Sequence, residues 1–219
     1  MSDFGILFDM DGVIVDTLNY HIEAARIFAE KHGYDISADE IKNKYFGRRN
    51  QDWMPELLGG NLTSEQIQEL IDEKELYFRE LYEADLKPLD GLMELLEELK
   101  NHNVPMVVAS SAPGENVRFI VDKLNANHYF KALLDDSYVT KGKPEPDIYL
   151  KAAKAIGMPP EKCIVIEDSE AGIISGKRAG SKVIGITTTH PREDLPSTDL
   201  MIDSLKELNY AKVRKLIYP

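Results

Sequence analysis

Three short acidic or hydroxyl-bearing clusters, each following an apolar run, are the residues of this chain best placed to do chemistry. Ile6, Leu7 and Phe8 run into Asp9, Met10, Asp11 and Gly12; Met106, Val107, Val108 and Ala109 run into Ser110 and Ser111; Ile164, Val165 and Ile166 run into Glu167, Asp168 and Ser169. Apolar runs of this length, bounded by turn signals, read as strands buried on both faces, as in a parallel sheet. Ligands on such sheets bind beyond the carboxyl ends of the strands. The pattern therefore gathers four carboxylates and two hydroxyls where a ligand should sit. Carboxylates removed from water without counter-charge are costly, so the site needs a cation.

Lys143 is the best-placed internal counter-ion, because Gly142 before it and Pro144 after it set a tight loop that can aim the ammonium inward. One lysine against four carboxylates leaves a formal charge of -3; a divalent ion brings it to -1, and a protonated Asp11 to zero. Hard carboxylate oxygens with no His or Cys beside them suit Mg²⁺. Metal, lysine and hydroxyl donors together fit a phosphoryl group. Ser110 and Ser111 precede Pro113, which suits the first turn of a helix, and an exposed helix N-terminus beside a hydroxyl binds anions. A plain helix cap is the other reading of Ser110. A calcium-binding loop on Asp9 and Asp11 is excluded, since its fifth and twelfth positions fall on Val13 and Tyr20.

The elements that must position these groups alternate along the chain. Strands are expected at 4–9, 105–110, 131–134, 163–167, 182–187 and 199–202, and helices at about 90–102, 114–125, 146–157 and 170–180. That alternation predicts an α/β fold with a parallel sheet and helices on both faces. Residues 18–86 break the pattern, being helical and charged. Ser37 to Glu40 and Thr63 to Gln66 fit the capping box that opens a helix. After the second box, Ile67, Leu70, Ile71, Lys74, Leu76, Phe78 and Leu81 predict a mostly amphipathic helix, and Gly59, Gly60 and Asn61 mark the break before it. Residues 86–91 read as a linker. The expected division is a core of 1–16 plus 88–219 and a helical cap over 17–87. The cap leaves the sheet just after Asp11, so it should hang over the carboxylates as a lid.

The 219 residues carry a net charge of -12. Such a surface argues against nucleic-acid and anionic-membrane partners, which rely on Lys and Arg, and is read as favouring solubility. A small anionic substrate stays compatible, because a site's local field can oppose the net charge. The single cysteine, Cys163, allows no intrachain disulfide and opens a strand, where it serves as a small hydrophobe. No stretch approaches the ~20 apolar residues of a membrane-spanning helix. The N-terminus enters a strand with no basic or apolar leader, so a cytoplasmic location is expected. A monomer is expected.

The string Phe8-Asp9-Met10-Asp11-Gly12-Val13-Ile14-Val15-Asp16-Thr17 resembles the first motif of the haloacid dehalogenase superfamily. Ser110 matches its second motif, Lys143 in Gly-Lys-Pro-Glu-Pro-Asp its third, and Glu167-Asp168-Ser169-Glu170-Ala171-Gly172 its fourth. A helical insertion after the first motif resembles the cap of the beta-phosphoglucomutase-like branch. The resemblance implies a Rossmann-like core and an aspartyl-phosphate mechanism. Asp9 is then the nucleophile, and Asp11 first protonates the leaving alcohol and then activates water. Mg²⁺ is held by Asp9, Asp168, Glu167 and the backbone oxygen of Asp11, while Lys143 and Ser110, with Ser111 beside it, face the phosphoryl oxygens. Asp11 argues against a dehalogenase, which lacks this second Asp.

In the cap, Lys74 and His21 match residues of the same branch that face the leaving group. Lys74 reads equally as a solvated lysine paired with Glu73 or Glu75, and His21 as a helix-start residue packed on the core. Gly47, Arg48, Arg49 and Asn50 match the family's cap loop with a departure: Asn50 stands where beta-phosphoglucomutases place an Arg for the second phosphate, and Arg48 and Arg49 stand beside it as substitutes. Ala112 and Pro113 replace the Ser-Lys of the mutases. Two missing cations favour a Mg²⁺-dependent phosphatase acting on a small phosphorylated metabolite, a sugar phosphate by preference, with a sugar phosphomutase as the alternative. A receiver-type signalling domain shares a strand-end Asp, an acidic pair, a hydroxyl and a Lys, but in the reverse chain order and without a covering insertion.

Overall fold

The computed structural model describes residues 3–46, 48–59 and 62–218, so Gly47, Gly60 and Asn61 lie outside the described residues. Six parallel strands form one sheet in the order β3-β2-β1-β4-β5-β6. They are β1 (Gly5–Phe8), β2 (Met106–Ala109), β3 (Phe130–Leu134), β4 (Cys163–Glu167), β5 (Lys182–Ile186) and β6 (Leu200–Ile202). This is the Rossmann-like order, in which the chain reverses direction across the sheet between β1 and β4. The four central strands β1, β2, β4 and β5 are buried almost throughout, as their continuous apolar runs require.

The two-residue period of a strand splits the core in two. Ile6, Phe8, Met106, Val108, Ile164 and Ile166 pack on one side. There they meet α5 (Leu92–Asn101), α6 (Gly114–Lys123) and α9 (Tyr210–Ile217). Leu7, Val107, Cys163, Val165 and Val183 face the other side, under α7 (Asp147–Ala155) and α8 (Glu170–Arg178). Helices therefore cover both faces. Helix α9 has no counterpart among the helices expected from sequence; Asn209 caps it, accepting from Lys212 N–H, and Val213 is its one buried residue.

Between β1 and α5 lie α1 (Leu18–Lys31), α2 (Ala38–Glu40), a π-helical turn over Ile41–Tyr45, α3 (Asn50–Leu58) and α4 (Ser64–Tyr82). They share a hydrophobic cluster of their own, built on Phe28, Ile41, Trp53, Met54 and Ile71. The Thr63 capping box is complete at the start of α4. Ser37 accepts from Glu40 N–H, but the helix it opens gives way to the π-helical turn after three residues. On α4, Ile71, Lys74, Phe78 and Tyr82 are buried, while Leu76 is 46% exposed. At ~100° per residue, Leu76 stands about 200° around the helix from both Lys74 and Phe78. Residues 86–91 are more than a spacer: Pro88 pairs with Val15, and Leu89 N–H donates to Ile14 O at 2.9 Å. Among the described residues no helix is long and apolar enough to cross a membrane.

Candidate active site

Asp9 follows the last residue of β1, and its N–H still reaches Ile166 O on β4 at 3.0 Å. Glu167 ends β4, and Asp168 follows it. Oxygens of Asp9, Glu167 and Asp168 lie within 4.8 Å of one another. Lys143 comes from the loop before α7. Its Nζ lies 2.7 Å from Asp9 Oδ1 and 2.7 Å from Glu167 Oε1, over the ring of Tyr149. The strand-end carboxylates and the loop lysine thus converge at the point where the strand order reverses.

Burial, chiefly, raises Asp9 to about 7, with Glu167 adding to the shift and Lys143 opposing it. Asp168 is pushed well above the carboxylate range by burial and by Glu167 and Asp9. Burial works the same way on Glu167, but Lys143 outweighs it and holds that carboxyl low. The cluster is short of positive charge, and the raised groups measure that shortage. Its donor set is hard oxygen without His or Cys, which fits an Mg²⁺-type cation.

The carboxylates are not equivalent. Both oxygens of Glu167 are already engaged. Oε1 accepts from Lys143 and from Tyr149 OH at 2.8 Å. Oε2 accepts from Asp168 N–H, Ser169 N–H and Ser169 Oγ. A Cβ at Gly172 would overlap this carboxylate, so only glycine lets α8 approach so closely. Asp168 Oδ2 accepts from Thr189 Oγ1 at 2.5 Å. Gly12, at a φ of +75°, lies where a Cβ would meet Asp168.

Asp11 is held apart from Lys143. Its Oδ1 accepts from Thr17 Oγ1 at 2.6 Å and faces His21 Nε2 at 3.4 Å. His21 stacks on Phe78 with centroids 3.9 Å apart, and its Nδ1 lies 3.1 Å from Lys74 Nζ. Lys74 is buried and donates to Glu75 Oε1 at 2.7 Å. Asn50 donates to the same oxygen at 2.7 Å. Asn116, on α6, donates to Glu75 Oε2 at 2.5 Å. Asp11, His21, Lys74, Glu75 and Asn50 border one cavity together with Asp9 and Asp168, with Tyr45, Phe46 and Trp53 as an aromatic side.

Asp9, Lys143, Glu167 and Asp168 meet in one cluster, and Asp11, His21, Lys74 and Asn50 border the same cavity as Asp9 and Asp168. Lys74 is not solvated: its partner is Glu75, inside the fold. Ser110 does not cap α6, which starts four residues later at Gly114. It is 1% exposed and accepts Ala112 N–H at 3.0 Å, while Ser111 borders the cavity. Arg49 turns away from the cavity. Asp52, one helical turn on, takes its Nε and Nη2 at 2.8 and 2.7 Å, and the carbonyls of Val139 and Thr140 take Nη1 and Nη2. Arg48 does border the cavity but pairs with Glu56 at 2.7 Å. Sequence reasoning missed Glu75 as a site residue, along with Asn116, Tyr149 and Thr189. Only Glu75, next to Lys74, carried any local signal.

The family model described as haloacid dehalogenase-like hydrolase matches residues 6–186. The chain is 32% identical over 208 residues to validoxylamine A 7'-phosphate phosphatase of Streptomyces hygroscopicus subsp. limoneus, covering 94% of this chain and 96% of that protein. It is 34% identical over 213 residues to beta-phosphoglucomutase of Bacillus subtilis, covering 93% and 90%. Among solved structures, a family IA, variant 3 HAD hydrolase from Entamoeba histolytica superposes with a TM-score of 0.88 at 31% identity, covering 99% of this chain and 100% of that one.

Proposed function

We propose that this chain, which belongs to the haloacid dehalogenase-like hydrolase family, is a Mg²⁺-dependent phosphatase that hydrolyses a small phosphomonoester, a sugar phosphate by class, through an aspartyl-phosphate on Asp9. One observation carries the reading. Two carboxylates, two residues apart, border one cavity in different settings: Asp9 on the Lys143 ammonium, and Asp11 on the Thr17 hydroxyl and the His21 ring. Settings that differ in this way are how a site separates a nucleophile from an acid–base group.

In this mechanism a carboxylate oxygen of Asp9 attacks phosphorus as the bond to the leaving alkoxide breaks, and Asp11 protonates that oxygen. Water then attacks phosphorus and gives its proton to Asp11. The bond to Asp9 breaks, and inorganic phosphate leaves. Splitting the displacement lowers each barrier. Asp9, Asp168 and the backbone oxygen of Asp11 would hold the Mg²⁺, which supplies charge neutralisation to the phosphoryl oxygens. Glu167, with both oxygens engaged, positions Lys143 and Asp168. Lys143, Ser110 and Ser111 bind the phosphoryl group. Residues 17–87 act as the cap over the core of 1–16 and 88–219.

The 34% identity to a beta-phosphoglucomutase supports a sugar phosphomutase as the second reading. A mutase must hold a second phosphate, and Asn50, neutral and donating to Glu75, favours the phosphatase. Incubation with beta-glucose 1-phosphate and Mg²⁺ tests the choice: glucose and free phosphate are expected. Glucose 6-phosphate with little free phosphate would overturn the phosphatase reading.

A further inference from the structure

Among the described residues, the wall that the helices of 17–87 give to the cavity is charged without a surplus cation: its two permanent cations are Lys74 and Arg48. Lys74 is matched by Glu75 at 2.7 Å and Arg48 by Glu56 at 2.7 Å, with the remaining Arg48 contacts on the carbonyls of Lys44 and Asp52. Glu75 is 2% exposed. Burial opposes its ionisation, but Lys74, His21 and Asn50 outweigh burial and lower it to about 2, so it is anionic at neutral pH.

A carboxylate accepts about four hydrogen bonds. Lys74, Asn50 and Asn116 take three of them. Oε1 takes two of these and Oε2 only that of Asn116, so the remaining acceptor position is on Oε2, while the Lys74 ammonium spends two contacts on Glu75 and His21 and keeps one N–H. Alternating acceptor and donor is what a hydroxyl group needs, since it both gives and takes. Trp53 and Tyr45, stacked with centroids 4.9 Å apart, add an aromatic side suited to the C–H faces of a polyol or sugar ring. A second phosphate would instead meet the Glu75 carboxylate beside an ammonium already paired, with no unpaired cation among the described lining residues.

We propose that Glu75 is a specificity-determining residue of this cavity: it accepts a phosphomonoester whose remaining surface is uncharged and hydroxylated, and it turns away a substrate with a second phosphate. This rests on the phosphatase reading for the group transferred and concerns only the part of the substrate that leaves. It is discrimination by repulsion as well as by fit.

Binding to the Asp9→Asn protein with Mg²⁺, measured by calorimetry with glucose 6-phosphate and glucose 1,6-bisphosphate, tests the inference without turnover. The monophosphate is expected to bind roughly 100-fold more tightly, and adding Glu75→Gln is expected to shrink that ratio about tenfold. Adding Glu56→Gln, at an exposed carboxylate, frees Arg48 and is expected to shrink the ratio about threefold. If Glu75→Gln fails to fold, Glu75→Asp, which draws the carboxylate back by one methylene, is read in its place. Equal or tighter binding of the bisphosphate, a ratio unmoved by substitution of Glu75, or binding of neither probe overturns the proposal. The same probes given to the chain with Asp9 intact report phosphate release. Absent release from these probes and from a panel of sugar phosphates, with a ratio that moves as expected, overturns the phosphatase reading and leaves Glu75 as the selector.

Discussion

Lys143 Nζ lies 2.7 Å from Asp9 Oδ1, across 134 positions of sequence. Since Glu167 shares the same ammonium, one lysine is the counter-charge for two buried carboxylates. Breaking such an arrangement from the cationic side leaves anions without a partner in a poorly solvated place. Lys143→Met is expected to lower stability by about 3–5 kcal/mol in metal-free buffer and turnover by at least ~100-fold. Urea denaturation and steady-state phosphate release measure both. A variant as stable and as active as the parent contradicts the pairing.

Asp9→Asn should separate stability from activity. Burial and Glu167 raise Asp9 to about 7, so its charge strains the metal-free fold. A neutral amide of the same shape relieves that strain. Thermal denaturation without metal is expected to give a midpoint no lower than the parent's. Turnover is expected to fall by about 10⁴-fold or more, because an amide is no nucleophile toward phosphorus. A clear drop in midpoint would point to Asp9 as a structural residue.

Glu75 links folding to pH. Its folded value, about 2, lies below the ordinary 4.5. A carboxylate held lower when folded adds stability that is complete above 4.5 and is lost as pH falls toward 2. The difference corresponds to about 3 kcal/mol. Glu75→Gln is therefore expected to flatten the stability profile between pH 4.5 and 2, and denaturant titrations across that range measure it. An unchanged acid limb contradicts the ion pair with Lys74.

Metal and protons should compete. Asp9 and Asp168 are both raised, by burial first and by neighbouring carboxylates second. A cation that neutralises them must displace protons, so Mg²⁺ affinity is expected to fall as pH drops below about 7. Calorimetry in two buffers of different ionisation heat reads the released protons. An affinity that is flat from pH 8 to pH 5 contradicts binding at these carboxylates.

The sheet and the strand-end carboxylates were legible in the sequence because their signals are local. β1, β2 and β4 are continuous apolar runs, and Asp9, Ser110 and Glu167 each stand at the end of one. The second layer was not legible, because it forms over long separations. Asn116 meets Glu75 across 41 positions, and Thr189 meets Asp168 across 21. Arg49 shows the opposite case. It has the right type and place for an anion, yet Asp52, three residues on, captures its guanidinium within one helical turn. Leu76 extended the apolar pattern of α4 in composition but not in phase.

The most direct measurement is phosphate release from a panel of sugar phosphates and related monoesters, by the intact chain and by Asp9→Asn, each with Mg²⁺ and with EDTA. Release is expected only by the intact chain with Mg²⁺, from at least one monophosphate. Steady release by Asp9→Asn, or release undiminished by EDTA, would contradict the proposed mechanism.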